Sequence, residues 1–321
     1  MTESRPFVHE PVLRELVVEI FSTVPAGTIV DATLGGAGHA AALLESRNDL
    51  RILGLDRDRN ALAAAQARLA PYGDRATVHH ARFDQLATVV ADAGAANQPI
   101  VGVLFDLGVS SPQFDDAQRG FSYRFDAPLD MRMDTSSGKS ARELVNELDA
   151  STLAGVLRRY SDERYANRIA NAIVKARPIA TTGELAVVVS EAIPAPARRH
   201  GGHPAKRTFQ AIRIAVNGEL EVLEPALDQA LEVTVPSGRV AVISYHSGED
   251  RIVKARLRRA EDGGCKCPPG LPCVCGALRE ARLLKRGGWS ADATEIETNP
   301  RASSARLRAV EKLPAPDEVQ P

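Results

Sequence analysis

The sequence predicts an α/β fold: a doubly wound, Rossmann-like parallel sheet interrupted by an inserted helical domain. Three observations carry this. Short apolar runs alternate with helical patterns from about residue 10 to 106. A glycine-rich turn, Asp31-Ala-Thr-Leu-Gly35-Gly36-Ala37-Gly38-His39, follows a β-branched run and opens an Ala/Leu-rich helical stretch. The next apolar run ends on Asp56, at the spacing at which nucleotide-binding βαβ units place the acid that holds ribose hydroxyls.

Taken in order, Val12, Leu13, Leu16, Val17 and Ile20 have helical spacing. Strands are expected at 28–32, 51–55, 76–80 and 100–106, and helices near 38–46, 58–69 and 84–93. Strands separated by helices pair in parallel, and right-handed crossovers bring the ligand to their carboxyl ends. Asp31, Asp56 and Asp106 stand at such ends, as does the segment after His80. Residues 107–139 have no period and are rich in turn formers, so they form a long loop, and a loop this long inside a domain is usually functional or disordered. Its aromatics argue against disorder. Residues 140–193 read as helices, with capping boxes at Ser140-x-x-Glu143 and Thr181-x-x-Glu184. The stretch from Pro194 to Pro204 is a linker. A long helix from about 207 to 233 leads to a turn at Pro236-Ser-Gly238 and a strand at 239–246, after which Ser247-x-x-Asp250 would cap another helix. The expected organisation is a cofactor-binding domain in two parts, 1–115 and 206–313, around an insert at 116–205, with a disordered tail at 314–321.

At 321 residues the chain can bury a sizeable core. Its N-terminus lacks a basic-then-apolar signal pattern and no apolar run approaches membrane-spanning length, so no membrane role and a cytoplasmic location are expected. Charge is unevenly spread. Residues 1–150 carry 14 Lys/Arg against 21 Asp/Glu, and residues 151–310 carry 25 against 17. An acidic cofactor half joined to a basic half fits a polyanionic substrate, although solvated helix faces give the same count.

The glycine loop lacks the dinucleotide G-x-G-x-x-G spacing. Adenosylmethionine has no pyrophosphate and makes weaker demands on a helix N-terminus. After the third strand, Ala81-Arg82-Phe83-Asp84 offers an aromatic and an acid to an adenine, or a core ring and a helix cap. Asp106-Leu-Gly-Val-Ser110-Ser111-Pro112-Gln113-Phe114 closes the fourth strand. The exocyclic amine of a base is a poor nucleophile because its lone pair is delocalised into the ring. Methylating it needs acceptors for the amine hydrogens and in-line alignment with the methyl donor. Asp106 followed by a polar-Pro-polar-aromatic segment could supply both, or be an ordinary turn. It distantly resembles the acid/amide-Pro-Pro-aromatic signature of amino-methyltransferases. Phe114, Phe121, Tyr123 and Phe125, interleaved with Arg119, Arg124 and Arg132, suit an unstacked nucleotide, or a small core that pins the loop. His246, at the end of the late strand, could contact the base or relay a proton, or be a structural histidine beside a helix cap. Cys265, Cys267, Cys273 and Cys275 could form a zinc knuckle, a redox pair or a loop of unliganded thiols, their C-x-C spacing being tighter than usual for zinc.

Together these segments resemble one family. Asp31-Ala-Thr-Leu-Gly, Gly38-His39, Asp106-Leu-Gly-Val-Ser-Ser-Pro-Gln113, Arg119-Gly-Phe-Ser, Pro128-Leu-Asp-Met-Arg-Met-Asp134, Arg207-Thr-Phe-Gln-Ala-Ile-Arg213, His246-Ser, Glu249-Asp-Arg251 and Asn299-Pro-Arg301 are similar to the bacterial ribosomal RNA small-subunit methyltransferase H family, the 16S rRNA cytosine-N4 methyltransferases once called MraW. The resemblance spans roughly 7–312. It implies a class I adenosylmethionine-dependent methyltransferase fold and methylation of N4 of a cytidine in the decoding centre of the small ribosomal subunit. By motif, the cofactor contacts fall on Ala37, Gly38, His39, Asp56, Phe83, Asp106 and Gln113, which favours Phe83 beside the adenine. Asp106, and second His246, are the candidates to handle the amine. The target cytidine would unstack into a cleft between sheet and insert, with Arg158, Arg159, Arg164, Arg168, Lys206, Arg207 and Arg301 on phosphates. Two departures stand out: Ala37 replaces a usual glycine, which matters if the position needs a positive φ, and Gly248 replaces a larger residue. A zinc at the cysteines would be structural. The rival readings are an NAD-dependent oxidoreductase, which leaves the basic-aromatic loop unexplained, and a non-catalytic ribosome-assembly factor with a relic cofactor site.

Overall fold

Aliphatic runs with two buried faces build the sheet. In the computed structural model, which describes residues 11–93, 98–109, 116–198, 202–268 and 272–315, strands β1 (Gly27–Asp31), β2 (Leu50–Asp56), β3 (Ala76–His80), β4 (Ile100–Asp106) and β5 (Arg239–Ser244) pair in parallel in the order β3-β2-β1-β4-β5. β8 (Arg306–Lys312) pairs antiparallel with β5, and β6 (Ala281–Leu283) and β7 (Trp289–Ser290) pair antiparallel with β8. Alternation sorts each strand between two layers. Ile29, Ile52, Val101, Leu104, Ala241 and Ile243 face a core built from α1 (Arg14–Phe21), α2 (Gly38–Ser46) and α3 (Arg59–Leu69). Val30, Leu53, Leu55, Val103, Phe105, Val240 and Val242 face the other layer. There they meet α4 (Leu86–Asp92), α10 (Leu223–Val233) and α11 (Ser247–Asp262). A last helix, α12 (Ala293–Thr298), buries no residue in either layer. Strand order reverses between β1 and β4, which makes their carboxyl ends the place where a ligand crevice forms in such sheets.

Residues 109–221 form a second unit. Its helices are α5 (Ala141–Glu147), α6 (Ala150–Ser161), α7 (Ala166–Ala176), α8 (Thr182–Ala192) and α9 (Lys206–Asn217), with a single turn at Ala195–Arg198. Both expected capping boxes are present: Ser140 with Glu143 starts α5, and Thr181 with Glu184 starts α8. The sequence reading needs two corrections here. The expected helix over 207–233 is two helices, because Gly218 takes a left-handed conformation (φ 60°) and ends α9. The first of these belongs to the second unit rather than to the sheet domain, because Phe209, Ala211 and Ile212 complete a core with Leu153, Leu157, Ile169 and Ile173. The tail beyond 315 lies outside the described residues.

The irregular 116–139 segment is held by side chains where regular ladders are lacking. Asn217, at the end of α9, is buried. Its Nδ2 donates to the carbonyls of Met131 (2.8 Å) and Arg213 (2.9 Å), and its Oδ1 accepts from the Met133 N–H (2.9 Å). Met131 sits between these bonds with a positive φ of 60°, a conformation a non-glycine residue holds only when its surroundings impose it. Asn217→Leu keeps the volume and strands the Met131 carbonyl and Met133 N–H; a stability loss of about 2–4 kcal/mol is expected in urea unfolding. A change below about 0.5 kcal/mol would mean that the segment is held elsewhere.

Candidate active site at the carboxyl edge of the sheet

After β1 the chain turns through Thr33–Gly38 into α2. Gly35 (φ 51°) and Ala37 (φ 58°) both take left-handed backbone. Position 37 therefore does need a positive φ, and its alanine takes it at a cost of about 1–2 kcal/mol, with its methyl buried in the adjoining core. Close packing falls on two other glycines. A Cβ on Gly38 would lie 2.5 Å from the Pro11 ring, and one on Gly54 would lie 2.6 Å from the Leu34 side chain. The turn is pinned to both neighbouring strands. Asp56 Oδ2 accepts from the Gly35 N–H (2.8 Å), the Leu34 N–H donates to the Leu55 carbonyl (2.9 Å), and the Thr33 hydroxyl accepts from the Asp106 N–H (2.5 Å).

Three carboxylates gather at this edge. Asp31 ends β1, is almost fully buried, and accepts one long bond from the Thr33 N–H (3.3 Å). Burial pushes its carboxyl up to about 7; His39 opposes the rise, and the charges of Asp106 and Asp56 add to it. Asp56, at the end of β2, also accepts from the Asp58 N–H (2.8 Å); burial raises its carboxyl too, and its two backbone donors counter the rise. Asp106, at the end of β4, accepts from the Tyr245 hydroxyl through Oδ1 (2.7 Å). Its Oδ2 lies 3.6 Å from Nε2 of His39, beyond hydrogen-bond reach. His39 is 5% exposed, and neither of its ring nitrogens finds a hydrogen-bond partner among the described residues. A buried imidazole facing a cluster of acids suits a ligand that brings positive charge and polar groups of its own.

Tyr245 is the residue sequence reasoning missed. It stands beside His246, where side chains alternate, and reaches Asp106 while His246 turns to the helix. Burial and the Asp106 charge hold its hydroxyl well above the usual phenol range, so it donates. His246 is the N-cap of α11: its Nδ1 accepts from the Glu249 N–H (3.3 Å), and its Nε2 lies 3.1 Å from the Glu249 carboxylate. That carboxylate in turn accepts from the N–H groups of Tyr245 (2.8 Å) and His246 (3.2 Å). The cap expected at Ser247 thus lies one residue earlier, and His246 takes the structural position weighed for it.

Phe83 follows β3 and is half-buried, packed edge-on against Phe105 with centroids 5.9 Å apart. Asp84 does not offer a free carboxylate, because Arg82 binds both of its oxygens (2.6 and 2.5 Å). Gln113 and Phe114 lie outside the described residues. In the second unit, Phe121 is core and Tyr123 stacks on His203 at 4.4 Å, while Phe125 stays 53% exposed. Arg158, Arg159, Arg164, Arg168, Lys206 and Arg207 are all exposed around α6, α7 and the start of α9. Arg301, in the sheet domain, is half-buried.

Comparison with known proteins agrees with these motifs. The model of the MraW methylase family matches residues 6–313, and the chain belongs to that family. It is 52% identical over 321 residues to the ribosomal RNA small subunit methyltransferase H of Symbiobacterium thermophilum, covering 98% of this chain and 99% of that protein. It is 49% identical over 312 residues to the protein of the same name from Heliobacterium modesticaldum, covering 96% and 99%. Among solved structures, an rRNA methylase from Streptococcus thermophilus aligns with a TM-score of 0.41 at 12% identity, covering 98% of this chain and 100% of that one.

Asp31 gives the fold a specific pH dependence. With a folded carboxyl near 7 against 3.8 in the open chain, the native state holds the extra proton between those values, so its contribution to stability is intact below about pH 4 and is lost as pH rises through 7. The loss is at most about 4 kcal/mol. Asp31→Asn should therefore gain stability relative to the parent as pH rises from 4 to 8, measured by urea unfolding of both proteins. A difference that does not vary with pH would contradict the buried, protonated Asp31.

Proposed function

We propose that this chain is an adenosylmethionine-dependent methyltransferase acting on N4 of a cytidine in the decoding centre, in the P-site region, of 16S rRNA within the small ribosomal subunit, in the cytoplasm. The observation that carries the reading is the convergence of Asp31, Asp56 and Asp106 on the glycine turn at the switch point of the sheet. These acids favour a cation-bearing nucleoside and disfavour the pyrophosphate of a dinucleotide, which argues against the oxidoreductase alternative. Membership of a methylase family and the names of its relatives support the same chemistry. No helix among the described residues is long and apolar enough to cross a membrane.

Adenosylmethionine, when bound, supplies an electrophilic methyl group on a sulfonium. The residues fit it. Asp56 has lone pairs left for ribose hydroxyls beyond its two backbone donors. Ala37, Gly38 and His39 border the turn and would meet the methionine portion, and Phe83 would lie beside the adenine; Gln113, expected from the motif, lies outside the described residues. Asp106 takes the amine. Tyr245 occupies one of its oxygens, leaving Oδ2 for an N4 hydrogen. Asp106 Oδ2 would accept a hydrogen bond from the N4 hydrogen that the amine must give up on methylation, and so favour a pyramidal nitrogen aligned with the methyl donor. His246 acts as a positioning residue, since its cap fixes the start of α11 and, through Glu249, the backbone of Tyr245. The exposed cations of α6, α7 and α9, together with Arg301, would contact rRNA phosphates.

The test is methyl transfer from labelled adenosylmethionine to small subunits isolated from cells lacking the enzyme, with the product nucleoside identified by mass. Label in N4-methylcytidine is expected. No label with cofactor binding intact would support a non-catalytic assembly factor. Asp106→Asn should lower turnover by about 100-fold or more while changing cofactor affinity less, read as kcat against the cofactor Kd; unchanged turnover would remove Asp106 from the chemistry.

A further inference from the structure

All four cysteines of the chain fall within eleven residues, Cys265 to Cys275, far along the chain from the acids described above. Their sulfurs converge. Cys265 Sγ lies 3.5 Å from Cys273 Sγ, and Cys275 Sγ lies 3.4 Å from Cys273 and 3.7 Å from Cys265. The ligand atoms of all four residues lie within 4.8 Å of one another. Disulfide sulfurs are about 2.0 Å apart. Four sulfurs held about 2.3 Å from one central ion stand about 3.8 Å from each other, by the geometry of a tetrahedron. The observed spacing belongs with the second arrangement.

The segment also needs something to order it. α11 ends in Gly263 and Gly264, both left-handed (φ 65° and 69°). A Cβ on Gly263 would lie 2.4 Å from the Leu278 carbonyl oxygen, so the outgoing and returning chains touch there. The return is tied down by the Glu280 N–H to the Ala260 carbonyl (2.9 Å) and by Arg279 Nε to the Glu261 carbonyl (2.8 Å). Beyond those ties, no described residue from 263 to 279 is buried, and Val274 is 88% exposed. No apolar core offsets the entropy of fixing this stretch. Segments too small for a core are ordered instead by a cross-link or a metal.

We propose that Cys265, Cys267, Cys273 and Cys275 together bind one zinc ion as a closed structural site. Four sulfur donors with no nitrogen or oxygen ligand select a soft ion that accepts tetrahedral geometry. Four protein ligands leave no open position for water or substrate, so the ion takes no part in methyl transfer. The Val274 N–H donates to Cys267 Sγ (3.4 Å), an outer contact of the kind that steadies a metal-bound thiolate. Binding exchanges four thiol protons for one divalent cation, so the knuckle carries two negative charges, with Lys266 between two of its ligands in sequence.

Elemental analysis of the full-length protein, purified without chelator or histidine tag, tests this. About one zinc per chain is expected, and less than a tenth of that in the Cys273→Ser/Cys275→Ser double variant. Because that variant could fold poorly at the loop, cobalt is also added to the chelator-stripped parent protein. The ligand-field and thiolate charge-transfer bands of a tetrahedral sulfur site are expected to saturate at one equivalent. Restoring zinc should slow proteolytic cleavage between 263 and 279 at least tenfold. A parent protein that holds no zinc, shows no cobalt bands and titrates all four thiols freely overturns the proposal. So does an intact mass lighter by the hydrogens of one or two disulfides, or a visible spectrum of an iron–sulfur cluster.

Discussion

The bond from the Gly35 N–H to the Asp56 carboxylate ties the site together. It joins the turn after β1 to the end of β2, and the left-handed backbone of Gly35 and Ala37 then carries the chain on into α2. With the turn held there, Thr33 meets the backbone of Asp106, His39 enters the first turn of α2 facing the same acid, and Gly54 leaves room for Leu34. Asp56 spends one acceptor position on the Gly35 N–H and another on the Asp58 N–H, so it fixes the loop from both sides.

Crowding carboxylates at a buried edge is costly, and the structure offsets that cost in three ways. Asp56 receives backbone donors, Asp106 receives a tyrosine hydroxyl, and Asp31 retains a proton near neutrality. A positively charged ligand at this edge would remove the reason for that proton, and its binding would then be linked to the ionisation of Asp31. Buried acids that raise one another in this way cluster at functional sites more often than in cores built for stability alone.

Much of this was legible in the sequence. The strands, the crossover helices and two capping boxes follow from periodicity and local chemistry, which act over a few residues. The acids at the strand ends were legible for the same reason. What escaped depends on contacts distant in sequence. The apolar period runs on through Gly218, so nothing local assigns α9 to the second core; only Phe209 and Ile212 packing against Leu153 and Ile169 does. Tyr245 could be seen as a neighbour of His246, but its bond to Asp106 spans 139 residues. His246 was visible as a candidate, yet its role as a cap depends on where α11 begins, and a helix start is uncertain by a residue or two from sequence. Gln113, named from the motif alone, lies outside the described residues.

The second unit is spliced into the sheet domain between β4 and β5, and this sets the order in which the sheet can be made. β4 pairs with β1 on one side and with β5 on the other, yet Gly102 meets Arg239 only after the whole of 109–221 has been synthesised. At about 5–20 residues per second, the aliphatic edge Val101–Phe105 stands unpaired on a nascent chain for roughly 7–27 s. An edge of that kind is a template for wrong partners. Independent collapse of the 109–221 helices would shorten the effective gap the ends must close. On the ribosome, then, early compaction of the inserted helices would shorten the interval for which the parent sheet lies open.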